Sequence, residues 1–89
     1  MASYEIRLKA SAAKEIERIE PKKLRRRIVD RIARLADDPR PPGCEKLSGH
    51  VDRYRIRQGA YRIVYSIDDD VLIVIVVKVG HRSDVYRAG

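Results

Sequence analysis

The stretch Tyr54-Arg55-Ile56-Arg57-Gln58-Gly59-Ala60-Tyr61-Arg62-Ile63-Val64-Tyr65 alternates like a strand on both sides of a glycine. Residues two apart on a strand share a face. One face of this hairpin therefore carries Tyr54, Ile56, Tyr61, Ile63 and Tyr65, and the other gathers Arg55, Arg57 and Arg62. Gly59-Ala60 suits a two-residue turn with a positive φ at its first position. Counting outward from that turn sets Arg57 opposite Arg62 and Arg55 opposite Val64. Like charges directly opposed on a sheet destabilise it by a few tenths of a kcal/mol, and an anion held between them removes the conflict.

Working outward, Tyr4-Glu5-Ile6-Arg7-Leu8 alternates as a first strand, with Tyr4, Ile6 and Leu8 inward. Ser11 offers an N-cap for a short helix with the stripe Ala12, Ile16 and Ile19. Pro21 ends that helix and suits the first turn of a second one. The second helix has Leu24, Ile28, Ile32 and Leu35 at helical spacing, with its arginines mostly off the stripe. Asp37-Asp38-Pro39-Arg40-Pro41-Pro42-Gly43 cannot continue it and predicts an extended loop. Strands follow over about Val51–Gln58, Tyr61–Ile67 and Val71–Val79, with Asp68-Asp69-Asp70 as a turn. The unbroken run Val71–Val77 predicts an interior strand covered on both sides. The expected fold is α+β, ordered β-α-α-β-β-β: an antiparallel-rich, four-stranded sheet with a two-helix hairpin on one face.

The chain has 89 residues, 44% of them apolar, which predicts one domain spanning 1–89 with a compact core. Twenty Lys and Arg against 13 acidic residues give a formal charge of +7, compatible with nucleic acid, an acidic protein or an anionic surface as partner. The N-terminus MASYEIRLKA lacks the apolar run of a secretory leader, and Val71–Val77 is too short to span a bilayer. A single cysteine, Cys44, precludes an internal disulfide framework. The expected location is cytoplasmic, with no membrane partner.

Cys44, His50 and His81 have no metal-ligand spacing, so neither metal nor cofactor is expected. Asp68-Asp69-Asp70 reads as a solvated turn. No Ser-His-Asp arrangement or glycine-rich phosphate loop is present. The arginine face remains: Arg55, Arg57 and Arg62, with Arg82 and Tyr86 just beyond the apolar strand. Guanidinium forks bind phosphate oxygens bidentately and stay charged at any working pH. A solvated face, or a landing site for an acidic partner, answers the same pattern.

Four segments together resemble the RelE toxins of the RelE/ParE superfamily: Lys46-Leu47-Ser48-Gly49, Tyr54-Arg55-Ile56-Arg57, Gly59-Ala60-Tyr61-Arg62-Ile63-Val64-Tyr65 and Val79-Gly80-His81-Arg82-Ser83-Asp84-Val85-Tyr86-Arg87. The resemblance implies a toxin that enters the ribosomal A site and cleaves mRNA without metal. It also implies an antitoxin, expected to be acidic and to fold in part on contact; the resulting complex would bind operator DNA through the antitoxin. It assigns Arg55 and Arg57 to the RNA phosphates, Arg62 to the transition state, Arg82 to a second phosphate contact and Tyr86 to the C-terminal tyrosine. Well-known RelE toxins carry lysines at the positions of Arg55 and Arg57; arginine cannot serve as a base, so that role does not transfer. His81 is then the candidate for proton transfer. The alternatives are a ParE-like inhibitor of DNA gyrase and a catalytically inactive, operon-repressing module.

Overall fold

A computed structural model describes residues 3–49 and 52–81. Its order is β1 (Glu5–Leu8), α1 (Ala10–Glu17), α2 (Lys22–Arg34), β2 (Glu45–Lys46), β3 (Arg53–Gln58), β4 (Tyr61–Asp68) and β5 (Ile73–His81). The sheet has five strands in the order β1-β5-β4-β3-β2, one more than expected. The addition is β2, which at two residues is too short to show alternation. β1 pairs in parallel with β5, and every other neighbour is antiparallel.

Both helices bury their stripes on one face of the sheet. Ala12, Ile16 and Ile19 from α1 and its C-terminal end join Ile28, Ile32 and Leu35 from the region of α2. They pack against Tyr54, Ile56, Ile63, Tyr65, Ile67, Val74, Val76 and Val79 of the sheet. Removing this apolar surface from water is the main favourable contribution to folding.

Four local expectations are corrected. Ser11 lies inside α1, whose N-cap is Lys9 without a side-chain bond, because the helix starts two residues earlier than a Ser11 cap implies. Pro21 is the N-cap of α2 rather than its first helical residue, and its extended ψ of 170° turns the chain into the helix. Leu8 is 45% exposed because β1 is an edge strand; of the Val71–Val77 run, Val71 lies exposed in the turn before β5, and Ile75 is exposed on the face of β5 away from the helices.

A β-bulge governs the far end of β5. Tyr65 pairs with Val76 while Val64 pairs with Lys78, so Val77 is an extra residue and the alternation resets there. Beyond Val76, β5 has outrun β1, whose ladder stops at Leu8. Glu15 of α1 substitutes for the missing strand: Val79 N–H donates to its Oε1 at 3.1 Å, and Lys78 Nζ donates to Oε2 at 2.8 Å. The loop after α2 is fastened to the other end of the sheet. Tyr65 donates from its buried hydroxyl to the Pro39 carbonyl at 2.7 Å. Arg40 lies 5.0 Å over the Tyr54 ring and pairs bidentately with Asp69 at 3.2 and 2.9 Å. No described helix is long and apolar enough to cross a membrane.

Candidate functional site

The β3–β4 hairpin has the register read from its sequence. Gly59 turns with φ +60°, Arg57 faces Arg62, and Arg55 faces Val64. The flanking Tyr54, Ile56, Ile63 and Tyr65 are buried toward the helices, so alternation places the three arginines on the opposite face.

The three guanidiniums differ in their surroundings. The Arg57 side chain is 58% exposed and Arg55 only 11%. Arg62, expected on an open surface, is buried to 7% exposure. Its Nε has no hydrogen-bond partner among the described residues. Burying a charged donor without an acceptor is costly, and few folded proteins tolerate it without cause. Beside it, Glu45 of β2 faces Arg55 in the ladder. The Glu45 carboxylate accepts from Arg55 Nη2 at 2.5 Å and approaches Arg57 Nη2 at 3.5 Å. Sequence reading missed Glu45. Its only signal was an acid in the segment between α2 and the hairpin, without strand alternation to place it on a face.

His81 is not brought to the arginines. It pairs with Tyr61, and their rings meet edge to face with centroids 5.9 Å apart. Both belong to the helix-facing side of the sheet, lining a hollow of about 180 Å³ with Glu15, Arg18 and Ile19. Arg62 pairs instead with Gly80 on the other side. Arg82 and Tyr86 lie outside the described residues, as does His50.

The side chains weighed for other chemistry are engaged structurally. Cys44 Sγ is 3.4 Å from the Tyr65 hydroxyl, whose pKa is pushed well above the ordinary value by burial and then by this neighbour. Asp68 Oδ1 accepts from the backbone N–H of Asp70 and Val71 at 3.0 and 3.3 Å, closing the turn. The Arg40 guanidinium and then the Tyr4 hydroxyl hold the Asp69 carboxyl below the usual range.

Two arginines sharing the Glu45 carboxylate, one exposed and one largely buried, and a third whose buried Nε has no acceptor among the described residues form a graded cationic face, suited to anionic oxygens. Comparison with known proteins agrees with the fold around it. The family profile for the ParE toxin of type II toxin-antitoxin system, parDE, matches residues 6–86. A RelE-like toxin protein of Escherichia coli is 34% identical over 88 residues, 94% of this chain and 90% of that one. The mRNA interferase toxin RelE of Escherichia coli K12 is 34% identical over 67 residues, covering 71% of this chain and 70% of the other. The RelBE toxin–antitoxin complex of Mycobacterium tuberculosis superposes with a TM-score of 0.80 at 26% identity, covering 94% of this chain and 97% of its counterpart. The helices on one face, the arginine hairpin on the other and these matches agree: the chain belongs to the RelE/ParE family, as a RelE-type toxin of a type II toxin–antitoxin system.

Proposed function

We propose that this toxin is a ribosome-dependent mRNA endonuclease, silenced by a RelB-type antitoxin. The observation that carries the reading is Arg62: a buried guanidinium, its Nε without an acceptor among the described residues, directly opposite Arg57. A phosphodiester brings acceptor oxygens to a face where Arg62 Nε has none among the described residues. The relative named mRNA interferase RelE supports the same chemistry.

In this mechanism the 2′-oxygen attacks the adjacent phosphorus as the bond from phosphorus to the 5′-oxygen breaks. The proton leaving the 2′-hydroxyl is balanced by one delivered to the departing 5′-oxygen. The products are a 2′,3′-cyclic phosphate upstream and a 5′-hydroxyl downstream. Negative charge grows on the phosphoryl oxygens in between, and a fixed cation in a water-poor setting stabilises that charge more than the ground state. Arg62 has this role, while Arg57 and Arg55 hold the phosphate backbone. Arg82 and Tyr86 complete the site on the strength of the family motif, as a second phosphate contact and a group that stacks on a base or aligns the 2′-hydroxyl.

The arginines cannot act as bases. The contact of His81 with Tyr61, on the helix side, favours leaving proton transfer to Tyr86, the RNA or the ribosome. Without a strong base the domain is a poor nuclease on free RNA. Positioning of the mRNA by the ribosome can supply on the order of 7 kcal/mol of the barrier, which accounts for the ribosome dependence.

The test is expression of Arg62→Ala at wild-type level, with methionine incorporation and mRNA ends followed together. Loss of a preorganised charge of this kind costs on the order of 3 kcal/mol, a hundredfold or more in rate. The variant is expected to spare growth and translation, while the wild type stops both and leaves cyclic phosphates. The match to the ParE profile supports a second reading, a gyrase-directed toxin. In that case wild-type expression would leave methionine incorporation running and damage DNA instead.

A further inference from the structure

The hollow lined by Tyr61 and His81 has no part in the phosphate chemistry of the opposite face, yet it lies at the same end of the sheet. Tyr61 begins β4 and immediately precedes Arg62; it pairs with Gln58 on one side and His81 on the other. Arg62 pairs with Arg57 and Gly80, and Gly80 also lines the hollow. Strand alternation sends Tyr61 and Arg62 to opposite faces from adjacent positions. Gly80 adds no side chain between them. An RNA strand held through a phosphate at Arg62 has only the end of the sheet to cross before it meets the hollow.

The lining is chemically specific. The Tyr61 and His81 rings stand at 78° with centroids 5.9 Å apart, and so form a corner. A flat heterocycle laid on one ring presents its edge to the rest of the lining. Glu15 and Arg18, three residues apart at the end of α1, are neighbours there. Glu15 is held in place by Val79 N–H and Lys78 Nζ, each bonded to one of its oxygens. A carboxylate has about four acceptor positions, so the pair leaves some of them unused. Arg18 is exposed and makes no ion pair or side-chain hydrogen bond among the described residues. A flat wall, an acceptor and a forked donor thus stand side by side. At about 180 Å³ the hollow has room for one heterocycle.

We propose that this hollow reads one base of the mRNA beside the cleaved bond, and that the base it takes is guanine. The proposal rests on the nuclease reading above and adds a sequence preference to it. Proteins read single-stranded RNA by stacking unpaired bases on rings and bonding to their edges. Guanine carries the acceptors O6 and N7 next to the donors N1–H and N2–H. Arg18 can fork onto the first pair while Glu15 accepts from the second. Adenine and cytosine put an amine in the place of O6, so each turns a donor toward Arg18. Uracil offers a shorter match, O4 and N3–H, without N7 or N2. The expected order is guanine, then uracil, then adenine and cytosine. A protein partner would favour an apolar surface instead. That surface lies elsewhere, in the apolar groove lined by Ile6, Leu8, Ile16 and Val29.

Single-turnover cleavage on purified ribosomes tests the assignment, with messages that differ only in the two bases flanking the cleaved bond. Wild-type protein is expected to cleave messages with guanine at one of these positions about tenfold faster than messages with cytosine there, the size of one good bidentate base contact. Arg18→Gln should remove most of that ratio. Arg18→Lys keeps the charge but not the fork, and should remove most of it too. Arg18 is exposed, so both variants should melt as the wild type does. A variant slowed equally on every message would assign Arg18 to general affinity and overturn the base assignment. A guanine preference that survives both substitutions overturns it as well, as does a preference for any other base. If wild-type protein cleaves every message alike, the hollow alone fails. If it cleaves none on ribosomes, the nuclease reading fails and the hollow with it.

Discussion

Glu45 stands between Arg55 and Arg57, its Oε2 2.5 Å from one guanidinium and its Oε1 3.5 Å from the other. On the proposed function, an RNA phosphate held by these two arginines would compete with this carboxylate. An ion pair with this much solvent access is worth roughly 1 kcal/mol, near fivefold in an equilibrium. Glu45→Gln keeps the shape and removes the charge. Affinity for a short single-stranded RNA is expected to rise about fivefold at low salt, with a steeper salt dependence. A fall in affinity would show that Glu45 instead holds the arginines in their binding geometry.

The hydrogen bond from Tyr65 to the Pro39 carbonyl holds the loop after α2 against the sheet. Tyr65→Phe leaves that carbonyl buried without its donor, at a cost of about 1–3 kcal/mol. In a domain of this size each kcal/mol lowers Tm by about 4–8 °C. Thermal unfolding of the variant is therefore expected at least several degrees below wild type. Tyr61→Phe keeps its ring contact with His81 and should shift Tm far less. Equal melting of the two variants would remove the loop-anchoring role of Tyr65.

Asp69 gives the same loop a pH limit. Arg40 and then Tyr4 depress its carboxyl pKa in the folded state. A depressed carboxyl favours the folded form at pH above its unfolded value of about 3.9, and that contribution is lost as pH falls through the folded value. Amide protection around Arg40, taken relative to intrinsic exchange at each pH, is expected to fall below about pH 4. Asp69→Asn should exchange faster at neutral pH and lose this acid limb. An acid limb that persists in the variant would assign it to another carboxylate.

The hairpin was legible because its turn and both strands agree: Gly59 fixes the turn, and Tyr54, Ile56, Ile63 and Tyr65 fix the face. The pairing of Arg57 with Arg62 follows from those residues alone. The face of His81 was hidden by the bulge. Val71–Val77 is apolar at every position, so nothing in it marks which residues point inward or that Val77 drops out of the pairing. Without the bulge, alternation from Val74 and Val76 would have put His81 on the arginine side. Leu8 misled for a different reason. Its alternation is that of a buried strand, but the parallel docking of β1 leaves it at the rim, beside the apolar groove. The burial of Arg62 was not legible, since an arginine on an alternating strand carries no mark of its own desolvation.

The parallel pairing of β1 with β5 also sets a schedule for synthesis. Residues 5–8 leave the ribosome well before their partners, residues 73–76. Most of the chain must be translated before the first strand has anywhere to dock. Closing so long a loop is entropically slow compared with forming the β3–β4 hairpin. The pairing of β1 therefore stays incomplete in a nascent chain until β5 has cleared the exit tunnel. Stalled chains of increasing length, probed by limited proteolysis, should become resistant only after residue 76 has emerged. Protection arising while β5 is still inside the tunnel would mean that the hairpin and helices form a stable unit without it.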